Sequence, residues 1–234
     1  MSILKEKTRK LLQSLTNISN SVIVTYPEMC VKDGKAIQAY FNLEKLGEDK
    51  IDQEFAIYGI TDFLTASSLV NNPTIELKEK QLVISNGKEK ITYNTSNIAL
   101  LEEQCRGDFE LITRIKSNDC IAEFELTSDS IKTLKHASNA LKDLPNLEIE
   151  NSGENEVILK IAGYEKSSNS YSTSTEAKII KDFKIILLLS LLKKIPNGNF
   201  EVKIFQSKKG SKVALFVSKD IEGLEFVISL KDVN

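Results

Sequence analysis

The sequence predicts an α+β fold made of two similar domains, each with two helices packed on antiparallel β-sheet. Three observations predict it. Short β-branched strand patterns recur along all 234 residues, separated by Gly, Pro and Asn turn signals. Two longer segments, one near the start and one past the middle, carry apolar residues at a 3.6-residue period. The order of these elements in the first half is repeated in the second. A chain that is 41% hydrophobic and 27% charged has material for two cores of this kind.

The first half opens on a helix predicted over 2–17. Leu4, Leu11, Leu12, Leu15 and Ile18 form its apolar stripe, and Lys5, Lys7, Arg9 and Lys10 lie mostly off it. Strands follow at 21–26, at 35–42 after an Asp33-Gly34 turn, and at 54–60. A short helix over 61–70, with Thr61 or Asp62 as its cap, ends before Asn71-Asn72-Pro73. Strands at 74–78, 81–85 and 89–94 close this half, the last two joined by an Asn86-Gly87 turn. Residues 95–118 show no clean period and read as a partly extended connector. The domains are therefore expected at 1–108 and 119–234.

The second half repeats this order. A strand at 120–126 leads into a helix over 127–144, capped by Thr127 or Ser128 and striped by Ile131, Leu134, Ser138, Leu141 and Leu144. Pro145 bars further helix. Strands follow at 147–151 and 156–165, and the polar stretch 167–175 reads as a loop. A strand at 183–189 runs into a short helix at 190–194, broken by Pro196-Asn197-Gly198. Strands at 200–205, 212–218 and 225–230 finish the chain. A repeat of this length is a domain duplication rather than a solenoid.

Charge is partitioned. The total is −2. Residues 1–16, 128–145 and 177–195 nevertheless carry +3, +1 and +4, leaving −10 on the rest. A near-neutral total can thus conceal basic helices on an acidic body; ordinary surface charge explains any one such segment, and the three together point toward a polyanion. Cys30, Cys105 and Cys120 form no CxxC pair, and a reducing compartment is expected. His136 is the single histidine, so neither a metal site nor a Cys/His nucleophile has its partners. No phosphate-loop or dinucleotide motif occurs. The longest uncharged apolar run, Ile185–Leu192, is too short for a membrane span of about 20 residues. The charged N-terminal segment does not read as a secretory signal. The expectation is a protein that is not an enzyme and needs no cofactor.

Two stretches carry a family resemblance. QEFAIYGITDFLTASSLVNNPTIEL resembles the first-domain segment of the sliding clamps of T-even-type bacteriophages. FKIILLLSLLKKIPNGNFEVKIFQSKKGSKVALFVS resembles their second-domain segment, with strand, short helix, Pro/Gly turn and strand in the same order. Length and element order fit over nearly the whole chain. The connector departs from close relatives in lacking a proline-rich character.

The resemblance, which extends to the wider superfamily of proliferating cell nuclear antigen, implies a DNA polymerase processivity factor. It would be a homotrimeric ring whose helices line a hole around double-stranded DNA, held without sequence readout. Implied partners are the replicative DNA polymerase, an ATP-driven clamp loader and late-transcription factors, in the cytoplasm of an infected bacterial host. On this reading Lys5, Lys7, Arg9, Lys10, Lys132, Lys135, His136, Asn139, Lys142, Lys193 and Lys194 face the DNA. Lys193 and Lys194 also suit a helix C-terminus on electrostatic grounds alone. Tyr164, Phe216 and Leu224 read either as core or as the lining of a partner-peptide pocket. The competing class is a structural or interaction protein of a phage, such as a trimeric virion component with a duplicated domain, which needs no basic inner helices.

Overall fold

The computed structural model describes residues 2–153, 155–162 and 169–232. The chain divides into two compact units. The first holds residues 1–34, 38–109 and 222–224, and the second holds 35–37, 110–221 and 225–234.

In the first unit α1 (Glu6–Leu15) precedes β1 (Val22–Val24), β2 (Glu28–Asp33), β3 (Ile37–Asn42) and β4 (Phe55–Ile57). Then come α2 (Ile60–Ser68), β5 (Thr74–Lys78), β6 (Gln81–Ser85), β7 (Lys90–Asn94) and α3 (Ile98–Cys105). Strand β1 pairs antiparallel with β4, and β5-β6-β7 form an antiparallel three-stranded sheet. The predicted stripe of α1 is the face that enters the core: Leu4, Leu11, Leu12, Leu15 and Ile18 are all buried. Strand β2 was absent from the sequence reading. Its burial is concentrated in Met29, Cys30 and Val31, a run too short to show alternation.

The second unit contains α4 (Glu110–Lys116), β8 (Asp119–Leu126), α5 (Ser128–Ala140), β9 (Asn146–Asn151), β10 (Glu156–Ala162) and β11 (Tyr171–Ile179). It continues with β12 (Lys184–Leu188), α6 (Leu189–Leu192), β13 (Phe200–Gln206), β14 (Lys212–Ser218), β15 (Glu225–Ser229) and β16 (Lys231–Asp232). Its strands form one continuous sheet in the order β16-β12-β9-β10-β11-β8-β13-β14-β15. Every pairing in that run is antiparallel. Ile131, Leu134 and Ser138 of α5 are buried, as their spacing predicts.

Three expectations are corrected. The connector is helical, not extended: α3 starts on Asn97, whose Oδ1 accepts from the Ala99 N–H at 3.1 Å, and α4 follows. Leu101 and Cys105, four residues apart, bury against Ile23 and Ala56. The polar segment 167–175 is in part a strand. Tyr171–Glu176 of β11 pairs residue by residue with β10, because Ser and Thr alternate on a sheet face that water can reach. Helix α2 starts at Ile60, with Gly59 at the cap position and no side-chain cap of its own. Asn20 replaces the predicted Thr61 or Asp62 cap, accepting through its backbone O from Ile60 N–H (2.7 Å) and through Oδ1 from Thr61 N–H (2.8 Å). No described helix is long and apolar enough to cross a membrane.

Candidate nucleic-acid interface

Helix α1 carries four cations, and the structure divides them. Lys5 sits at the cap position and is held by the 43–49 loop. Its N–H donates to Glu48 Oε1 (2.5 Å), and its ammonium donates to the Gly47 carbonyl (2.7 Å) and pairs with Asp49 (3.0 Å). Thr8, buried on the next turn, donates to the same Glu48 oxygen at 2.5 Å. Glu48 is 5% exposed. It therefore caps the helix in place of a local Ser, Thr or Asp. Lys10 pairs with Glu6 at 2.5 Å across one turn, and that ammonium lowers the Glu6 carboxyl pKa. Lys7 is exposed and enters none of the ion pairs among the described residues. Arg9 is half-buried beside α2.

Helix α5 shows the same division. Thr127 Oγ1 accepts from the Ser130 N–H at 3.1 Å, and Asn199 Oδ1 accepts from the Ser128 N–H at 3.0 Å. Lys132 pairs with Asp129 at 3.2 Å. Lys135 lies over the turn after α6 and donates to the Ile195 carbonyl (2.5 Å) and to Asn197 Oδ1 (2.9 Å). Burial pushes its pKa down. His136, Asn139 and Lys142 are exposed. Lys193 is exposed one residue past α6, and Lys194 is partly covered.

The expected DNA-facing set thus separates by what each side chain already does. Lys5 and Lys135, both expected to face the DNA, are bound to their own chain. Their bonds to carbonyls and carboxylates leave little of either ammonium for a ligand. Lys7, Lys142 and Lys193 are solvated charges, with His136 and Asn139 alongside on α5.

The pocket set changes too. Phe216 is 1% exposed and packs edge-on against Phe200, ring centroids 6.1 Å apart. Leu224 is also 1% exposed. Both are core, so neither offers apolar surface to a peptide. Tyr164 lies outside the described residues. Among the described residues, the large apolar side chains that reach solvent are Tyr58, Leu69, Leu100 and Ile180, which sequence reasoning passed over. Leu100 had a usable signal: it stands off the Leu101/Cys105 stripe of α3.

No family model matches the chain. Among curated proteins, the sliding clamp of Vibrio phage KVP40 is 27% identical over 144 residues. That match spans 59% of this chain and 60% of the phage protein. Among solved structures, proliferating cellular nuclear antigen from Entamoeba histolytica superposes with a TM-score of 0.65 at 15% identity, covering 95% of this chain and 94% of that one. The PCNA2-PCNA3 complex from Sulfolobus tokodaii gives 0.65 at 10% identity over 98% and 97% of the two chains. The chain has the fold of these clamps. The H. pylori beta clamp agrees, with a TM-score of 0.65 at 16% identity over all of this chain and 64% of that one. The clamp fold and the phage relative match the resemblance read from the two sequence stretches.

Proposed function

We propose that this protein is a sliding clamp that encircles duplex DNA and tethers a replicative DNA polymerase. The observation that carries the reading is the exposed polar face of α5, with Lys132, His136 and Asn139, and Lys142 exposed just past its end, in a chain of clamp fold. Lys7 of α1 and Lys193 after α6 supply further solvated cations. Such charges attract phosphate without reading sequence, and they let the protein slide. The role asks no bond-making chemistry of the chain. An ATP-driven loader would place the ring on DNA, and late-transcription factors would share it with the polymerase. The site of action would be the cytoplasm of an infected bacterial host.

Ring closure is supported by the strand edges. Among the described residues, β7 pairs only with β6, and Tyr171–Glu176 of β11 pairs only with β10. The other edge of the β5-β6-β7 sheet is covered: Ile3 N–H donates to the Ile75 carbonyl at 2.8 Å, and Ser2 Oγ accepts from the Ile75 N–H at 3.1 Å. Two open edges at different places on one chain favour head-to-tail pairing, which closes into a ring where the rotation between subunits permits. We propose three subunits per ring.

Light scattering at micromolar protein should give about three times the 26.2 kDa chain mass. The deciding experiment is primer extension with the cognate polymerase, loader and ATP. Product length should rise only when this protein is added, and deleting the polymerase C-terminal tail should remove the gain. Unchanged product length with every component present, or a strict monomer at high concentration, would refute the clamp and favour a structural role.

A further inference from the structure

Residues 42–49 form a compact loop that touches two distant parts of the first unit. Inside it, Leu46 N–H donates to the Asn42 carbonyl (3.3 Å), Gly47 N–H to the Glu44 carbonyl (2.9 Å) and Glu48 N–H to the Leu43 carbonyl (2.9 Å). Asn42 Oδ1 accepts from the Lys45 N–H at 3.0 Å. Leu43 and Leu46 are buried and fix the loop to the core. A segment closed by its own hydrogen bonds and sunk by two leucines moves as one piece.

One end of the loop holds the start of α1, through the Glu48 cap and the bonds of Lys5 to Gly47 and Asp49. That end is strained. Leu4, fully buried, has a φ of +52°, in the left-handed region that a bulky side chain avoids. Glu48 Oε2 is closed off from solvent with no donor among the described residues. The other end meets 222–224. Lys45 pairs with Glu222 at 3.2 Å, and both side chains are exposed. Gly223, at φ +79°, lies so close that a Cβ there would sit 2.8 Å from Lys45 Cδ and 3.3 Å from Asn42 Cβ. Backbone strain and orphaned buried groups gather at elements that switch.

We infer that residues 42–49 are a lever between α1 and segment 222–224, loaded at the α1 end. Displacing α1 moves Glu48 and, with it, Lys45 against Glu222 and Gly223. Parting Lys45 from Glu222 acts in the opposite direction, since coupling between two places is reciprocal. The lever itself stands apart from the clamp reading, which concerns what α1 faces. Its use rests on that reading: with duplex along α1, a protein whose charged group competes for Lys45 or Glu222 meets occupied and empty clamps in different states.

The test uses the full chain, with its backbone amides followed by NMR, and a short duplex oligonucleotide as probe. Glu222→Lys sets two ammonium groups side by side at the exposed end. The Lys5 and Thr8 amides should shift, and the Lys5 N–H should exchange about threefold faster, on the scale of an exposed ion pair. Glu222→Gln, which only removes the pair, should give a smaller effect of the same sign. Thr8→Val, at the other end, should in turn shift Lys45 and Leu224. The amides of Thr127 and Ser130 at the start of α5 should stay still in every variant. Changes confined to the mutated end, in both directions, would overturn the lever. Duplex should shift 222–224 together with α1. Duplex that shifts α1 and leaves 222–224 silent would also overturn it. Duplex that shifts no amide, with no gain in polymerase product length, would remove the clamp reading, while the variants still decide the lever.

Discussion

Helix α5 begins on its own threonine. Thr127 Oγ1 accepts from the Ser130 N–H within one turn, and Asn199 adds a bond to Ser128. Helix α1 has Lys5 at the equivalent place, and no lysine side chain can accept there. Its start is held by Glu48, whose Oε1 serves both Lys5 N–H and Thr8 Oγ1 from a loop 43 and 40 residues away. The two helices occupy matching places in the two halves of the chain. One carries its cap in its sequence, and the other borrows it from the fold. The borrowed cap is buried, so it is the stronger restraint and the more fragile one.

The largest expected effect breaks the borrowed cap. Glu48→Ala leaves the Lys5 N–H and the buried Thr8 hydroxyl without an acceptor, and should cost about 3 kcal/mol in urea unfolding. The loss should exceed that of any single change at the start of α5. A smaller loss at Glu48 than at Thr127 would mean that α1 is held by Leu11, Leu12 and Leu15 alone. Next in size is Thr127→Ala, expected to cost about 1 kcal/mol, as a local cap does. Asn199 remains on Ser128 and keeps the figure from rising.

Lys135 sharpens the comparison at the level of charge, because it anchors α5 as Lys5 anchors α1. Lys135→Met removes two hydrogen bonds but also a desolvated ammonium, so the cost at neutral pH should be about 1 kcal/mol or less. The sign of its pH dependence follows from the lowered pKa. The folded state releases the proton before the unfolded state does. Wild type should therefore gain stability over Lys135→Met as pH rises from the lowered value toward the ordinary 10.5. Unfolding curves across alkaline pH check it; the absence of a slope would place Lys135 in water, and an opposite slope would mean a folded pKa raised rather than lowered.

The smallest effect concerns a distant surface pair in the first unit. Arg106 after α3 binds Glu54 at 2.9 Å, and also Glu102. The guanidinium lowers the Glu54 carboxyl pKa below its ordinary 4.5. Glu54→Gln should cost about 0.5 kcal/mol above pH 5, since solvent screens the pair. A depressed carboxyl contributes above its unfolded pKa and stops contributing as pH falls through the folded one. The difference between the two proteins should therefore vanish in acid. Chemical unfolding at neutral and acid pH compares them, and a difference independent of pH would exclude the ion pair as its cause.

Much of this was legible beforehand. Strands 74–78, 81–85 and 212–218 have the bounds that alternation and turn residues assign. The stripe of α1 is buried, and of the stripe expected over 127–144 Ile131, Leu134, Ser138 and Leu144 are buried while Leu141, past the end of α5, is half-buried. The helical connector was hidden because Leu100 and two glutamates blur its stripe, although Asn97 was a readable cap. Strand β11 was hidden because its polarity suits a loop as well as a half-wet sheet. For the interface, residue type gave the cations of α1 and α5 but not their state. Lys7 and Lys5 are two residues apart and look alike in sequence. The fold leaves one in water and fastens the other to Glu48, Gly47 and Asp49. Phe216 and Leu224 were readable as apolar, while their burial depended on what packs over them.

By itself the sequence determined what depends on neighbours along the chain: the helical and strand periods, the Thr127 cap, the turns, and the order of elements in two matching halves. The fold class follows from these because local period and apolar pattern leave few ways to bury two helices on antiparallel strands. The tertiary structure decided which charges stay free and which caps come from afar. Those outcomes depend on distances between residues such as Lys5 and Glu48 or Lys135 and Ile195, far apart in the chain. Such distances are fixed only when the core closes and brings donor and acceptor within reach.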